Sequence, residues 1–191
     1  MKRLPIAVAL LGLAAPLAFA QTSTWNIDPA HSEVDFTVTH MNLSKVHGRI
    51  GIAKGAVTLN ETDITKSSVS VTIDMTTVDT GVSMRDNDLK SANYFDSTQF
   101  PTATFTSTSV SGTAGHLAVT GNLTLHGVTR PVTLDVEGPA GPMNGMGNKQ
   151  HEGYSATATV NRKDFGVGAK TGNGMVSDEV KLVIELDAAK Q

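Results

Sequence analysis

Residues His31–Met41, HSEVDFTVTHM, separate into two sets. Odd positions carry Glu33, Asp35, Thr37 and Thr39, whereas even positions carry Val34, Phe36, Val38 and then His40. Successive side chains on a strand point to opposite faces, so this stretch has a wet face and a dry one. Similar alternation recurs along the chain. In KVHGRIGIAKGAVTLN, Val46, Gly48 and Ile50 share one phase and Val57 and Leu59 the other. That change of phase predicts a bulge or bend near Gly51–Gly55. Val69, Val71, Ile73 and Met75 form the dry face of SSVSVTIDM, and Ala103 and Phe105 continue the pattern after Pro101. HLAVTGNLTL, VTRPVTLDVEG, YSATATVNRK and SDEVKLVIELDA supply four further strands.

The exception is TGVSMRDNDLKSANYFDSTQFP, in which Ser83 is placed to cap a short helix over 83–91 with Asp86 in its first turn. Residues 138–153, GPAGPMNGMGNKQHEG, read as a 16-residue loop. About eight antiparallel strands with one dry face each, plus one short helix, predict an all-β fold closed as a barrel or stacked as a sandwich. Only eight aromatic residues follow position 20, and the dry faces are mostly Val, Ile, Leu, Ala and Gly. An eight-stranded barrel lined this way is expected to be incompletely filled and to hold one small ligand.

The first twenty residues, MKRLPIAVALLGLAAPLAFA, have the form of a secretory signal. Lys2 and Arg3 precede an apolar region that ends in Ala18-Phe19-Ala20, so cleavage is expected after Ala20 and the mature domain is 21–191. The destination implied is the periplasm. The chain has 15 basic and 18 acidic residues; without Lys2 and Arg3 the basic count is 13, for a net charge of −5. An acidic domain without basic clusters is a poor candidate for binding nucleic acid or anionic lipid headgroups. With no cysteine in the chain, stability rests on core burial and sheet pairing rather than disulfides.

Chemistry-bearing motifs are sparse. There is no Gly-x-Ser-x-Gly elbow, phosphate loop or dinucleotide fingerprint, so the reading is a non-enzyme without cofactor. None of His31, His40, His47, His116, His126 and His151 pairs at a metal-ligand spacing, and no metal is expected. Arg85 and Asp86, with Asp88 nearby, have two readings: a polar acid–base cluster, or a helix N-terminus with carboxylates placed for its dipole. His40 likewise is either a ligand or base, or a satisfied histidine at the barrel rim.

Four blocks then carry a family resemblance. WNIDPAHSEVDFTVTHMNLSKVHGRI, MRDNDLKSANYFDSTQFPTATFTS, GNLTLHGVTRPVTLDVE and VNRKDFGVGAKTGNGMVSDEVKLVIELDA run in order across Trp25–Ala188. They resemble the YceI-like proteins, exported polyisoprenoid-binding proteins with a lipocalin-like antiparallel barrel. The resemblance implies a lumen holding the tail of a long-chain isoprenoid, such as a prenylated quinone or related amphiphile, and a homodimer. Loading such a guest would involve transient membrane contact. Carried over by position, the lining comprises Phe36, Val38, His40, Met41, Val46, Leu89, Tyr94, Phe95, Phe105 and Phe165; Ile50 is expected to line it as well. Two departures stand out. Asp88 occupies a place where the family commonly has histidine, and Ile50, Ile52 and Ala53 replace frequent aromatics. A lipid-modifying enzyme and a structural, stress-related interaction module are the alternative functions.

Overall fold

The computed structural model describes residues 21–145 and 148–191; the expected signal sequence, 1–20, lies outside the described residues. Nine strands form one antiparallel sheet: β1 (Thr22–Ile27), β2 (Glu33–His40), β3 (Ser44–Asn60), β4 (Ser68–Asp74), β5 (Thr102–Thr113), β6 (His116–Leu125), β7 (Val128–Asn144), β8 (Gln150–Asn161) and β9 (Glu179–Lys190). The helix α1 (Ser83–Lys90) lies between β4 and β5.

The register explains how nine strands make an eight-position barrel. The first half of β3 pairs with β2, from Glu33↔Gly51 to His40↔Ser44, and its second half pairs with β1, from Thr22↔Asn60 to Asn26↔Ala56. On the other side, β9 pairs with β2 through 181–185 and with β1 through 188–190. Strands β1 and β2 therefore lie end to end in one position. β3–β4 pairing closes the ring, and no edge is left unpaired at the seam. The expected lipocalin-like barrel is observed, with the extended TWNIDP segment adding a ninth strand in the slot of the opening one.

Strand β3 can serve two partners because it is 17 residues long and bends in the middle. Its register against β4 shifts between Ile52 and Lys54, inside the glycine-flanked stretch where the apolar phase changes. Ile50 and Ile52 face inward before the shift, Val57 and Leu59 after it, so both halves present aliphatic side chains to the interior.

Two sequence expectations are corrected. Residues 138–153 are not a loop. β7 continues to Asn144 and β8 begins at Gln150, with Glu137↔Ser155, Ala140↔Gly153 and Met143↔His151 in register. Each triplet Gly138-Pro139-Ala140 and Gly141-Pro142-Met143 advances three residues against two on β8, so the repeated Gly-Pro unit makes two consecutive bulges rather than ending the strand. Gly138 and Gly141 take φ of +133° and +120°, which side-chain-bearing residues rarely adopt. Second, Ser83 does not cap α1. Val82 holds the N-cap position without a side-chain bond, and Asp86 reaches back to accept from the Thr80 backbone N–H at 2.8 Å and from its hydroxyl.

The interior packs in three apolar clusters rather than one solid core. One surrounds Trp25, Ile27, Val57, Leu59 and Ala188; another joins Phe105, Leu117, Val119, Val136 and Phe165; a third joins Phe36, Ile50, Met75, Val78 and Ala103. Two inward aromatics lie flat on neighbouring strands. A Cβ on Gly48 would stand 2.3 Å from the Phe36 ring, and one on Gly121 would stand 2.4 Å from Phe105. Glycine at those positions provides the seat that keeps each ring against the wall. Gly48→Ala should accordingly cost about 1–3 kcal/mol of folding stability in denaturant titration, because either the ring or the strand must move.

Candidate functional site

Between the clusters the barrel is hollow. An upper chamber of about 240 Å³ opens toward α1 and the Gly166–Asp178 connection, and a lower chamber of about 120 Å³ continues toward the β3–β4 connection. The two share Val34, Ile73, Leu123 and Leu182, which come from β2, β4, β6 and β9 and form a waist. Below the waist the lining is largely apolar, with Ile52, Ile64, Val71, Phe105, Val119 and Ile184 beside Ser67, Ser68 and Tyr154. Above it, polar groups enter only near the opening: His40, Thr80, Arg85, Asp88, Tyr94 and Arg162.

The alternation of β2 dictates this placement. Val34, Phe36, Val38 and His40 all line the upper chamber, and His40 is exposed where the strand reaches its turn. Val46, Ile50, Leu89, Tyr94 and Phe95 complete the expected upper set, and Phe105 lines the lower chamber. Two expected lining residues do otherwise. Met41 has φ +51° in the β2–β3 turn and is 48 % exposed, pointing past the end of the barrel. Phe165, in the 3-10 turn Arg162–Phe165, is buried at 2 % within the cluster around Phe105 and Val167 and lines neither chamber.

Arg85 and Asp86 are brought together by Thr80 rather than by a reaction centre. The Arg85 guanidinium donates through Nε to Thr80 Oγ1 at 2.7 Å and through Nη2 to the Thr80 carbonyl at 2.9 Å. The Asp86 carboxylate accepts from the same residue, so its role is to hold the entry of α1 and it does not line the chamber. Asp88 does line it, while its Oδ1 accepts from Asn93 Nδ2 at 2.8 Å. Among the described residues no group of histidines and carboxylates is arranged to hold a metal ion.

The residue that the sequence reading missed is Arg162. It is 4 % exposed, yet its guanidinium has a full set of partners: the carbonyls of Val167, Gly168, Thr171, Val176 and Ser177, and Asp178 Oδ1 at 2.9 Å. A planar group with five N–H donors is suited to gather a loop in this way. Arg162 thereby folds the 166–178 connection over the upper chamber, and Thr171 donates to the Tyr94 hydroxyl at 3.2 Å to tie that connection to the segment after α1. The available signal was an arginine inside NRKDFG, followed by a glycine-rich stretch that could not organise itself.

At the far end, polar groups lie behind the apolar wall. The Tyr154 hydroxyl donates to Glu152 Oε2 at 2.9 Å. Burial, reinforced by the neighbouring Glu152 charge, holds the phenol well above its usual range, and burial also raises the Glu152 carboxyl. The Tyr154 ring lines the lower chamber, and Glu152 lies outside its lining.

The YceI-like domain model matches residues 25–188. The chain belongs to the YceI-like family. Protein YceI of Shigella flexneri is 37 % identical over 190 residues, covering 96 % of this chain and 98 % of its own. That of Salmonella newport is 35 % identical over 193 residues, covering both chains completely. Among solved structures, Burkholderia cenocepacia BcnA superposes with a TM-score of 0.73 at 24 % identity, covering 84 % of this chain and 98 % of that one. A polyisoprenoid binding domain from Saccharophagus degradans superposes with a TM-score of 0.63 at 15 % identity, over 87 % of this chain and 98 % of that one. These structural likenesses establish the shared barrel.

The YceI-like barrel described here yields two expectations. Leu182→Trp at the waist should close the lower chamber while leaving the upper one open, so extracted or added hydrophobic guests shift to shorter tails in mass spectrometry. Arg162→Lys, which keeps the charge but loses the planar fork, should lower the unfolding free energy by about 2–4 kcal/mol. It should also speed exchange of a fluorescent fatty guest from the lumen.

Proposed function

We propose that this protein is an exported carrier or store that holds a long-chain polyisoprenoid, or an isoprenoid-quinone-like amphiphile, in its lumen. The observation that carries the reading is the polarity gradient across two chambers that meet at one waist: charged side chains line only the upper one, and the lower one is almost entirely apolar. A thread-like hydrocarbon with a polar head has that gradient. Each buried CH₂ contributes about 0.8 kcal/mol, so a tail of about fifteen carbons supplies roughly 12 kcal/mol before ordering costs. Hydrocarbon burial then suffices for binding, and the polar groups at the opening orient the head. The polyisoprenoid-binding domain from Saccharophagus degradans, which shares the fold, supports this ligand class.

The proposal places Phe36, Val38, His40, Val46, Ile50, Leu89, Tyr94, Phe95 and Phe105 against the guest. Residues 1–20 serve as a signal peptide removed after Ala20, which puts the mature chain in the periplasm, and the protein works as a homodimer that meets the membrane transiently. Mass spectrometry of organic extracts from the periplasmic protein is the test. An isoprenoid lipid should be recovered in near-stoichiometric amount from a chain beginning at Gln21. A barrel that is empty as purified and also rejects added polyprenols would overturn the ligand assignment.

A further inference from the structure

Asparagine is a thermolabile residue, most of all before glycine, whose backbone nitrogen reaches the side-chain amide with no side chain in the way. The chain holds two Asn-Gly steps, Asn144-Gly145 and Asn173-Gly174. Their surroundings differ at the atoms that decide the reaction.

At Asn144-Gly145 the attacking nitrogen is occupied. The Gly145 N–H donates to the Lys149 carbonyl at 2.8 Å, and Asn144 is held in register with Gln150 at the end of β7. Asn173-Gly174 lies instead in the exposed part of the 166–178 connection over the upper chamber. Among the described residues no hydrogen bond engages the Gly174 N–H, and a Cβ built on Gly174 would meet nothing within 4 Å. The nucleophile is therefore free and unhindered. The electrophile is prepared as well. The Asp178 N–H donates to Asn173 Oδ1 at 3.3 Å, on the oxygen where negative charge grows when the amide carbon is attacked.

We propose that Asn173 is a self-modifying site, at which the 166–178 connection converts to isoaspartate and loosens over the chamber. Gly174 N gives its proton to solvent base and bonds to Asn173 Cγ. The Cγ–Nδ2 bond breaks, and ammonia leaves with a proton returned from solvent. Water then opens the cyclic imide at the Asn173 α-carbonyl, so the main chain runs through the former side chain and gains one carbon, and the α-carboxylate is set free.

That extra length falls where none is spare. Arg162 Nη2 donates both to the Thr171 carbonyl at 2.8 Å and to the Val176 carbonyl at 3.2 Å, so residues 172–175 form an excursion closed on one nitrogen. Within it, the Met175 and Val176 N–H groups both donate to the Gly172 carbonyl. The Met175 carbonyl in turn accepts from the Met41 N–H at 2.9 Å, and Val176 lines the upper chamber. Lengthening the excursion slackens these ties to the β2–β3 turn and to the chamber wall. A consequence that rests on the carrier reading above is that the protein releases its guest faster as it ages.

Mature protein aged in mildly alkaline buffer is the test, beside Gly174→Ala, whose methyl fits the open space and hinders the attack. Peptide mapping should find isoaspartate at 173 and an intact Asn144 in the parent, and neither site converted in the variant. Amide hydrogen exchange at Met41, Met175 and Val176 should be about fivefold faster in aged than in fresh parent, the factor for one ordinary hydrogen bond, and unchanged in the aged variant. Conversion at Asn144 before Asn173, or isoaspartate at 173 without faster exchange, would overturn the proposal. Release of bound cis-parinaric acid should quicken in step with isoaspartate content; an unchanged rate from a barrel that does bind the probe would overturn the effect on the chamber. Fresh protein that never takes up the probe would instead remove the carrier reading, and the site would still be decided by mapping and exchange.

Discussion

Everything in this molecule depends on a mismatch between the circumference of its sheet and the volume of its side chains. Eight strand positions closed by continuous hydrogen bonding fix the bore, because no strand can be removed without exposing an edge. The inward residues are mostly aliphatic, and the inward aromatics Phe36 and Phe105 are pressed against the wall by the absence of a side chain at Gly48 and Gly121. Backbone pairing therefore sets a diameter that the side chains do not fill. The remaining space is the site. Stability comes from the ladder and from three wall-hugging clusters, which is compatible with a hollow centre.

The two ends of the bore are built by opposite means. Beyond the waist the enclosure is made mainly of sheet, and its lining is apolar apart from Ser67, Ser68 and Tyr154. At the opening the enclosure is made of connections, whose backbone groups need partners. Arg162 supplies five of those contacts, and a sixth bond to the Asp178 carboxylate, from a single buried guanidinium, and Thr80 binds both Arg85 and Asp86 to secure the start of α1. The polarity gradient is therefore a by-product of how each end is held together. Strands bring grease, connections bring charge.

Much of this was legible from period-two alternation alone. The dry face of β2 and the phase change in β3 could be read from the order of Val, Phe, Gly and Thr, whereas α1 was read from Ser83 and Asp86 in the stretch that breaks the alternation. The lining residues carried over from the resemblance lie around the cavity where they belong to a strand or helix, as Phe36, Val38 and Leu89 do, and so do Tyr94 and Phe95 in the turns after α1. Met41 and Phe165, both in turns, miss it. The Gly-Pro repeats misled in the other direction, because punctuation residues can sustain a bulged strand as well as interrupt one. Arg162 was invisible for a different reason: its partners are carbonyl oxygens, which every residue possesses, so no side-chain pattern announces them.

The shared slot of β1 and β2 has a consequence for assembly. The wall beside the first strand is finished by the last one: β1 pairs with 188–190, and the Gln191 amide donates to the Thr24 carbonyl at 2.9 Å. The cylinder is therefore incomplete until β9 lies between β8 and the shared slot. Contacts of such long sequence separation form late and slowly. Docking of β9 thus acts as the latch, and the apolar faces of its neighbours stay unsealed until it is in place.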